Sequence, residues 1–249
     1  MKGSGFFCRI AVFAAGWGIC CCGAALCAAP ADDALLLEAG WSSRYVREGV
    51  DRFSDASAFV AHLEMTWQRL ALVVVPVVAE GGAGHEITLG GEYRLDLGTF
   101  ALAEMQLVGG LRRVEESVRA DVESWEMYGS VAWAIRGGFV WDVDLYYAVY
   151  PTTAGYLELG LRRPIGFGAI PGRFVVSPGL ALGYDFGIIS GRKVLRTNHL
   201  HAMLRGDWWV VPRFGLSGSL HHTIPADRFE SLYGGQEQSW IQVGVRTWF

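Results

Sequence analysis

His199 and His201 stand two residues apart, and the pair His221-His222 follows Ser217 and Ser219 closely. Each spacing suggests a chemistry. Imidazoles at i and i+2 of a strand point the same way and can begin a metal site. A serine beside a histidine can begin a nucleophile–base pair. Neither is completed along the chain. No thiol or obvious third ligand accompanies the first pair, and a period-two reading turns His221 inward with the serines while sending His222 to lipid or a loop. The glycine-rich stretch 80–84 has no helix after it to make a phosphate cradle. The expected catalytic residues, cofactors and metals are none.

A more extensive pattern is carried by charge. Glu38, Arg44, Glu64, Glu92, Arg94, Asp96, Glu104, Glu126, Asp142, Asp144, Glu158, Arg162, Arg205 and Arg246 all fall on the polar parity of alternating segments. Arg173, Asp185, His199 and His201 continue the set. If the opposite, apolar parity faces lipid, these side chains line an aqueous interior. On the lipid side each charge near the midplane would cost about 2–4 kcal/mol. The thirteen candidates for lumen lining are this first set without Glu38.

Only strands can sort charges in this way. The chain ends on alternation, with Ile241, Val243, Val245, Thr247 and Phe249 on one parity and Trp240, Gln242, Gly244, Arg246 and Trp248 on the other. Twelve such segments can be read. They begin at about 35–45, 57–67, 70–78 and 86–97, the last turning at Gly98-Thr99 into a fifth. A hairpin about Arg136-Gly137-Gly138 joins the sixth and seventh, and the rest run at about 156–163, 173–186, 198–210, 213–222 and the C-terminus. The segment at 70–78 breaks the rule, being apolar on both parities. Period-two patterning repeated this often implies an all-β chain, a transmembrane antiparallel up-and-down barrel of about twelve strands.

The start and the composition agree. Lys2 and Arg9 precede an uncharged stretch of small and apolar residues ending at Ala29-Pro30-Ala31, the form of a secretory signal peptide over 1–31. That leaves 32–249 as the barrel. All five cysteines lie in the leader, so the mature chain would hold no disulfide and no thiolate. Net charge is −4 before the two basic leader residues are removed, which speaks against a nucleic-acid partner. Beyond the leader no apolar run approaches the roughly 20 residues of a spanning helix.

The connections alternate too. Those after even strands are mostly short. Those after odd strands are longer and polar: 46–56, 79–85, 109–124, 187–197 and 223–239. Barrels with both termini on the periplasmic side show this asymmetry. The connection 109–124 carries Arg112, Arg113, Glu115, Glu116, Arg119, Asp121 and Glu123, and is expected to plug the barrel or present a surface. Trp41, Trp67, Trp133, Trp141, Trp208, Trp209 and Trp240 are expected near the membrane interfaces, where amphipathic rings are favoured.

The run Ser43-Arg44-Tyr45-Val46-Arg47-Glu48-Gly49-Val50, continuing through 51–58, resembles the opening of the TorF-like porin family. The Asp142-x-Asp144-x-Tyr146-Tyr147-x-x-Tyr150-Pro151 stretch and the strand holding Glu158 resemble its middle. Glu48 stands where the family has Arg, and Arg47 sits one place early. The resemblance implies an outer-membrane barrel with no catalytic residues to carry over.

The functional expectation is therefore a porin-like channel in the bacterial outer membrane, passing small polar solutes by diffusion. The excess of carboxylates over guanidiniums gives it a weak preference for cations. Its partners are the lipid bilayer, the solutes and, through Phe249, the barrel assembly machinery; the oligomeric state is left open. The other reading is a closed barrel acting through its extracellular loops.

Overall fold

The computed structural model describes residues 33–47, 50–100, 103–117, 122–135, 137–151, 153–167, 173–187, 196–226 and 237–249. The stretch 1–31, expected to be a signal peptide, and its cysteines lie outside them. Twelve strands make the barrel wall: β1 (Asp33–Ser42), β2 (Ala58–Trp67), β3 (Leu70–Ala79), β4 (His85–Phe100), β5 (Ala103–Glu116) and β6 (Val122–Ala134). They continue as β7 (Val140–Tyr150), β8 (Ala154–Arg162), β9 (Arg173–Asp185), β10 (Arg196–Val211), β11 (Phe214–Pro225) and β12 (Gln238–Trp248). Most meet or exceed the roughly 9–11 residues a tilted membrane strand needs.

Each strand pairs antiparallel with its sequence neighbour, and β1 pairs with β12, from Leu36 opposite Trp248 to Ser42 opposite Gln242. This last ladder closes the sheet and removes its edges. Alternation then becomes inside against outside. In β2, Phe59, Leu63, Met65 and Trp67 are exposed on the outer surface while Val60, His62 and Glu64 are buried within. In β12, Ile241, Val243 and Val245 point out, and Trp240 and Arg246 point in. The outer surface is thus a continuous apolar band that only a hydrocarbon solvent tolerates.

Short turns form where the chain can take left-handed backbone. Gln68 has φ 53° between β2 and β3. Gly137 and Gly138, at φ 90° and 77°, let Ile135 N–H donate to Phe139 C=O across the β6–β7 turn. At Pro76 the β2–β3 ladder lapses between the Val60–Val77 and Leu63–Val74 pairs, because proline has no N–H to offer.

Three expectations need correction. The first strand ends at Ser42 rather than Tyr45, so Arg44 belongs to the connection that follows. Gly98-Thr99 is no turn: β4 runs on to Phe100, with a register shift between Asp96 and Gly98 that absorbs the irregularity. The stretch 109–124 is mostly wall, since β5 continues to Glu116 and β6 starts at Val122, with Leu111 opposite Met127 and Arg113 opposite Trp125. Its charges were legible as a loop only because Arg112-Arg113 and Glu115-Glu116 hide the alternation. The plug assigned to it therefore falls away. In the connection after β8, Ile165–Phe167 pairs with the start of β9.

Candidate functional site

Inside the barrel the charged side chains meet one another. Arg94 of β4 donates to Glu64 at 2.6 Å and to Glu92 at 2.6 Å, and His62 lies 3.5 Å from the same Glu64. Arg112 of β5 donates through Nε to Glu126 of β6 at 2.6 Å, and its guanidinium sits 4.5 Å above the Tyr146 ring. Arg246 of β12 reaches Glu38 at 2.7 Å and Asp207 at 3.2 Å, and Arg205 of β10 holds Asp207 at 2.9 Å. Arg162 of β8 lies 3.5 Å from Asp142 of β7. Such pairs exist because an ion removed from water costs several kcal/mol unless a counter-charge and hydrogen bonds replace the water.

The remaining candidates are placed less deeply. Asp144 and Glu158 are half-buried on the inward faces of β7 and β8, with Tyr156 donating to Glu158 at 2.8 Å. Asp96 is exposed beyond the network of Glu64, Glu92 and Arg94. Arg44 lies in the β1–β2 connection, paired with Asp51 and Asp55. The side chain of Glu104 lies outside the described residues.

A half-belt of rings crosses one wall. Tyr128, Tyr146 and Tyr156 follow one another across β6, β7 and β8, at centroid separations of 6.4 and 6.2 Å. Tyr156 then stacks on His199, and His201, His221 and Trp240 form a second stack at 4.8–5.4 Å. Gly183 of β9 lies between Tyr156 and His199: a Cβ there would come within 2.6 Å of both. His201 and His221 bond to each other and onward, with His201 Nε2 3.0 Å from His221 Nδ1 and His221 Nε2 2.7 Å from the Ser219 hydroxyl, whereas the buried His199 Nδ1 has no hydrogen-bond partner among the described residues. Among the described residues no three His, Cys, Asp or Glu side chains are grouped to hold a metal. Trp240 and Trp209, expected at the interfaces, are instead buried inside, where Trp209 lies under the Arg246 guanidinium at 5.5 Å. Their parity settles it, since they alternate with the outward Ile241 and Trp208.

The opposite wall is covered by backbone. After β1 the chain turns into the barrel, where Val46–Arg47 and Val50–Asp51 pair as a small hairpin. Tyr45 and Phe53 stack at 5.2 Å and bury themselves against Ala58, Val60, Val73, Val75, Val77 and Ala79, the inward residues of β2 and β3. This explains why β3 is apolar on both parities: one side meets lipid and the other meets Tyr45 and Phe53. Arg47 binds Glu86 of β4 at 2.7 Å, the Tyr45 hydroxyl donates to the same carboxylate at 3.1 Å, and Arg52 lies 3.7 Å from Glu116 of β5. Burial, and then the negative charge of Glu86, push the Tyr45 phenol well above its ordinary pKa, so it remains a donor.

Space remains along the other side. A cavity of about 70 Å³, open to solvent, touches Glu38, Ser42, Val60, His62, Val75, Arg205, Ser219 and Gln242. A smaller one of about 10 Å³, room for a single water, touches Asp142, Gly160, Arg162, Gly179 and His201. The open space thus follows β8–β12 and β1 and reaches β2 and β3 only at Val60, His62 and Val75.

No protein-family model matches the sequence, and no curated protein does. Solved structures match the fold. The KdgM porin superposes with a TM-score of 0.56 at 7% identity, over 85% of this chain and 98% of that one. The NanC porin gives 0.56 at 10% identity, covering 86% and 98%. An outer-membrane channel from Pseudomonas putida F1 gives 0.53 at 14% identity, covering 90% and 97%. The chain therefore has the fold of outer-membrane porins and channels.

Proposed function

We propose that the protein is a porin-like channel of the bacterial outer membrane that passes small polar solutes by passive diffusion, with a weak preference for cations. The single observation that carries this reading is the sorted wall: an apolar exterior around an interior of ion pairs, hydroxyls and amides, with space left along β8–β12 and β1 to the near edge of β2 and β3. The fold shared with porins and outer-membrane channels supports it. On the strands, inward carboxylates such as Glu38, Glu92, Asp142, Asp144, Glu158 and Asp185 outnumber the inward guanidiniums, which supports the cation preference. Pairing of the inward carboxylates with Arg94, Arg112, Arg162, Arg205 and Arg246 keeps the preference weak.

The experiment is a planar bilayer with purified, refolded protein. Single-channel steps and a reversal potential displaced modestly toward the cation potential under a salt gradient are expected. Folded protein that never conducts would end the channel reading and leave the closed, loop-acting barrel. Liposome swelling with sugars and amino acids of graded size then defines the bore.

A further inference from the structure

We infer that the inward-turned residues of the β1–β2 connection form the channel's constriction and set its charge selectivity, an assignment that rests on the channel reading above. Three observations meet here. First, Tyr45 and Phe53 sit in an apolar bed prepared for them by Val60, Val73, Val75 and Val77, whereas the inward faces of the other strands are mostly polar or charged. A lumen wall facing water would have no use for that bed.

Second, the connection is fastened by charge. Arg47 and Tyr45 converge on Glu86, and Arg52 approaches Glu116, so residues of one connection reach four strands, β2 to β5. A connection that merely capped the rim would have no reason to bury Arg47 and Tyr45 so completely. Third, the open space runs along β8–β12 and β1 and ends against Val60, His62 and Val75, at the edge of that bed. The solute path is therefore a crescent between the seated connection and the wall of Glu38, Arg205, Ser219 and Gln242. Arg47 and Arg52 place positive charge beside Glu86 and Glu116 and so cancel fields that would otherwise draw cations in.

The test uses the expected mature chain, residues 32–249, refolded, with folding checked for each variant by heat-modifiable migration on a gel. Tyr45→Ala/Phe53→Ala unseats the connection, and Arg47→Gln/Arg52→Gln removes its charge while keeping amide hydrogen bonding. The first variant should raise single-channel conductance about two-fold or more, because the interior of a twelve-strand barrel is only moderately wider than a filled eight-strand one. The second should move the reversal potential toward the cation potential at similar conductance. Separately, the mature chain has no thiol, so Phe53→Cys introduces a single one for maleimide labelling. It should react many-fold more slowly in the folded protein than in urea.

A conducting wild type with both variants matching it in conductance and reversal potential would overturn the proposal and leave the channel standing. A Phe53→Cys variant whose thiol labels as fast in the folded as in the unfolded protein would overturn it whatever the conductance. Wild type and variants all silent, though folded, would end the channel reading and this assignment together.

Discussion

Moving one arginine by one residue tests the whole inside–outside account. Arg205 points into the barrel and holds Asp207, while Leu204 beside it points out and is 47% exposed, between Pro178 of β9 and Leu220 of β11. Leu204 lies near the middle of the sixteen-residue β10. Leu204→Arg therefore places a guanidinium in hydrocarbon near the midplane, at a cost of about 2–4 kcal/mol. That is a loss of roughly 30- to 700-fold in the folding equilibrium constant. Arg205→Leu acts differently, by leaving Asp207 with Arg246 as its remaining guanidinium at 3.2 Å. Breaking a buried pair costs about 3–5 kcal/mol when no partner is left, so the loss should lie below that range. The two changes together should cost about the sum, since they act on opposite faces. Equilibrium unfolding in phospholipid vesicles, followed by tryptophan fluorescence in guanidinium chloride, gives these values. If Leu204→Arg shifts stability by less than about 0.5 kcal/mol, as an ordinary surface change does, the assignment of faces is wrong.

Gly110→Ala should destabilise by about 1–3 kcal/mol in the same assay, because its Cβ would fall 2.4 Å from the Gly91 carbonyl oxygen and 2.7 Å from the Tyr128 ring. Gly91→Ala, with nothing within 4 Å of its Cβ, is expected to change stability by less than about 0.5 kcal/mol. Arg112→Ala strands the buried Glu126 carboxylate and should cost about 3–5 kcal/mol; Arg112→Met/Glu126→Leu should recover most of it, and equal losses in the single and double variants would contradict this. Tyr45→Phe removes only the donor to Glu86, so a loss of about 1.5–3 kcal/mol is expected. Because its phenol pKa is raised, ultraviolet titration of the folded protein should show Tyr45 still protonated when exposed tyrosines have ionised near pH 10. That hydrogen bond then persists in the folded protein as pH rises through 10, but stability falls from there up to the raised value, because tyrosine in the unfolded chain ionises first.

Much of the architecture could be read from residue order alone. A strand has period two, so Ile87, Leu89 and Leu97 against Glu92 and Arg94 disclose a two-faced element without reference to any partner, and twelve repeats of that pattern leave few folds. The chain also shows which parity the acids and arginines share, because the cost of a charge in hydrocarbon acts on every strand independently. Pairing decided the rest. The doubled Arg112-Arg113 and Glu115-Glu116 read as a loop, yet the ladder to β6 makes them wall, since Arg112 finds Glu126 inside and Arg113 finds Glu123 and Glu115 at the exposed end. Trp209 and Trp240 read as interface anchors, but the inner side of a closed sheet gives them Arg246 and two imidazoles to stack on. The apolar inner parity of β3 looked like a lapse in alternation. It becomes intelligible only when Tyr45 and Phe53, from the connection before β2, are brought against it. Local order fixes the period of a strand and therefore its faces; only closure of the sheet fixes what each inward face meets.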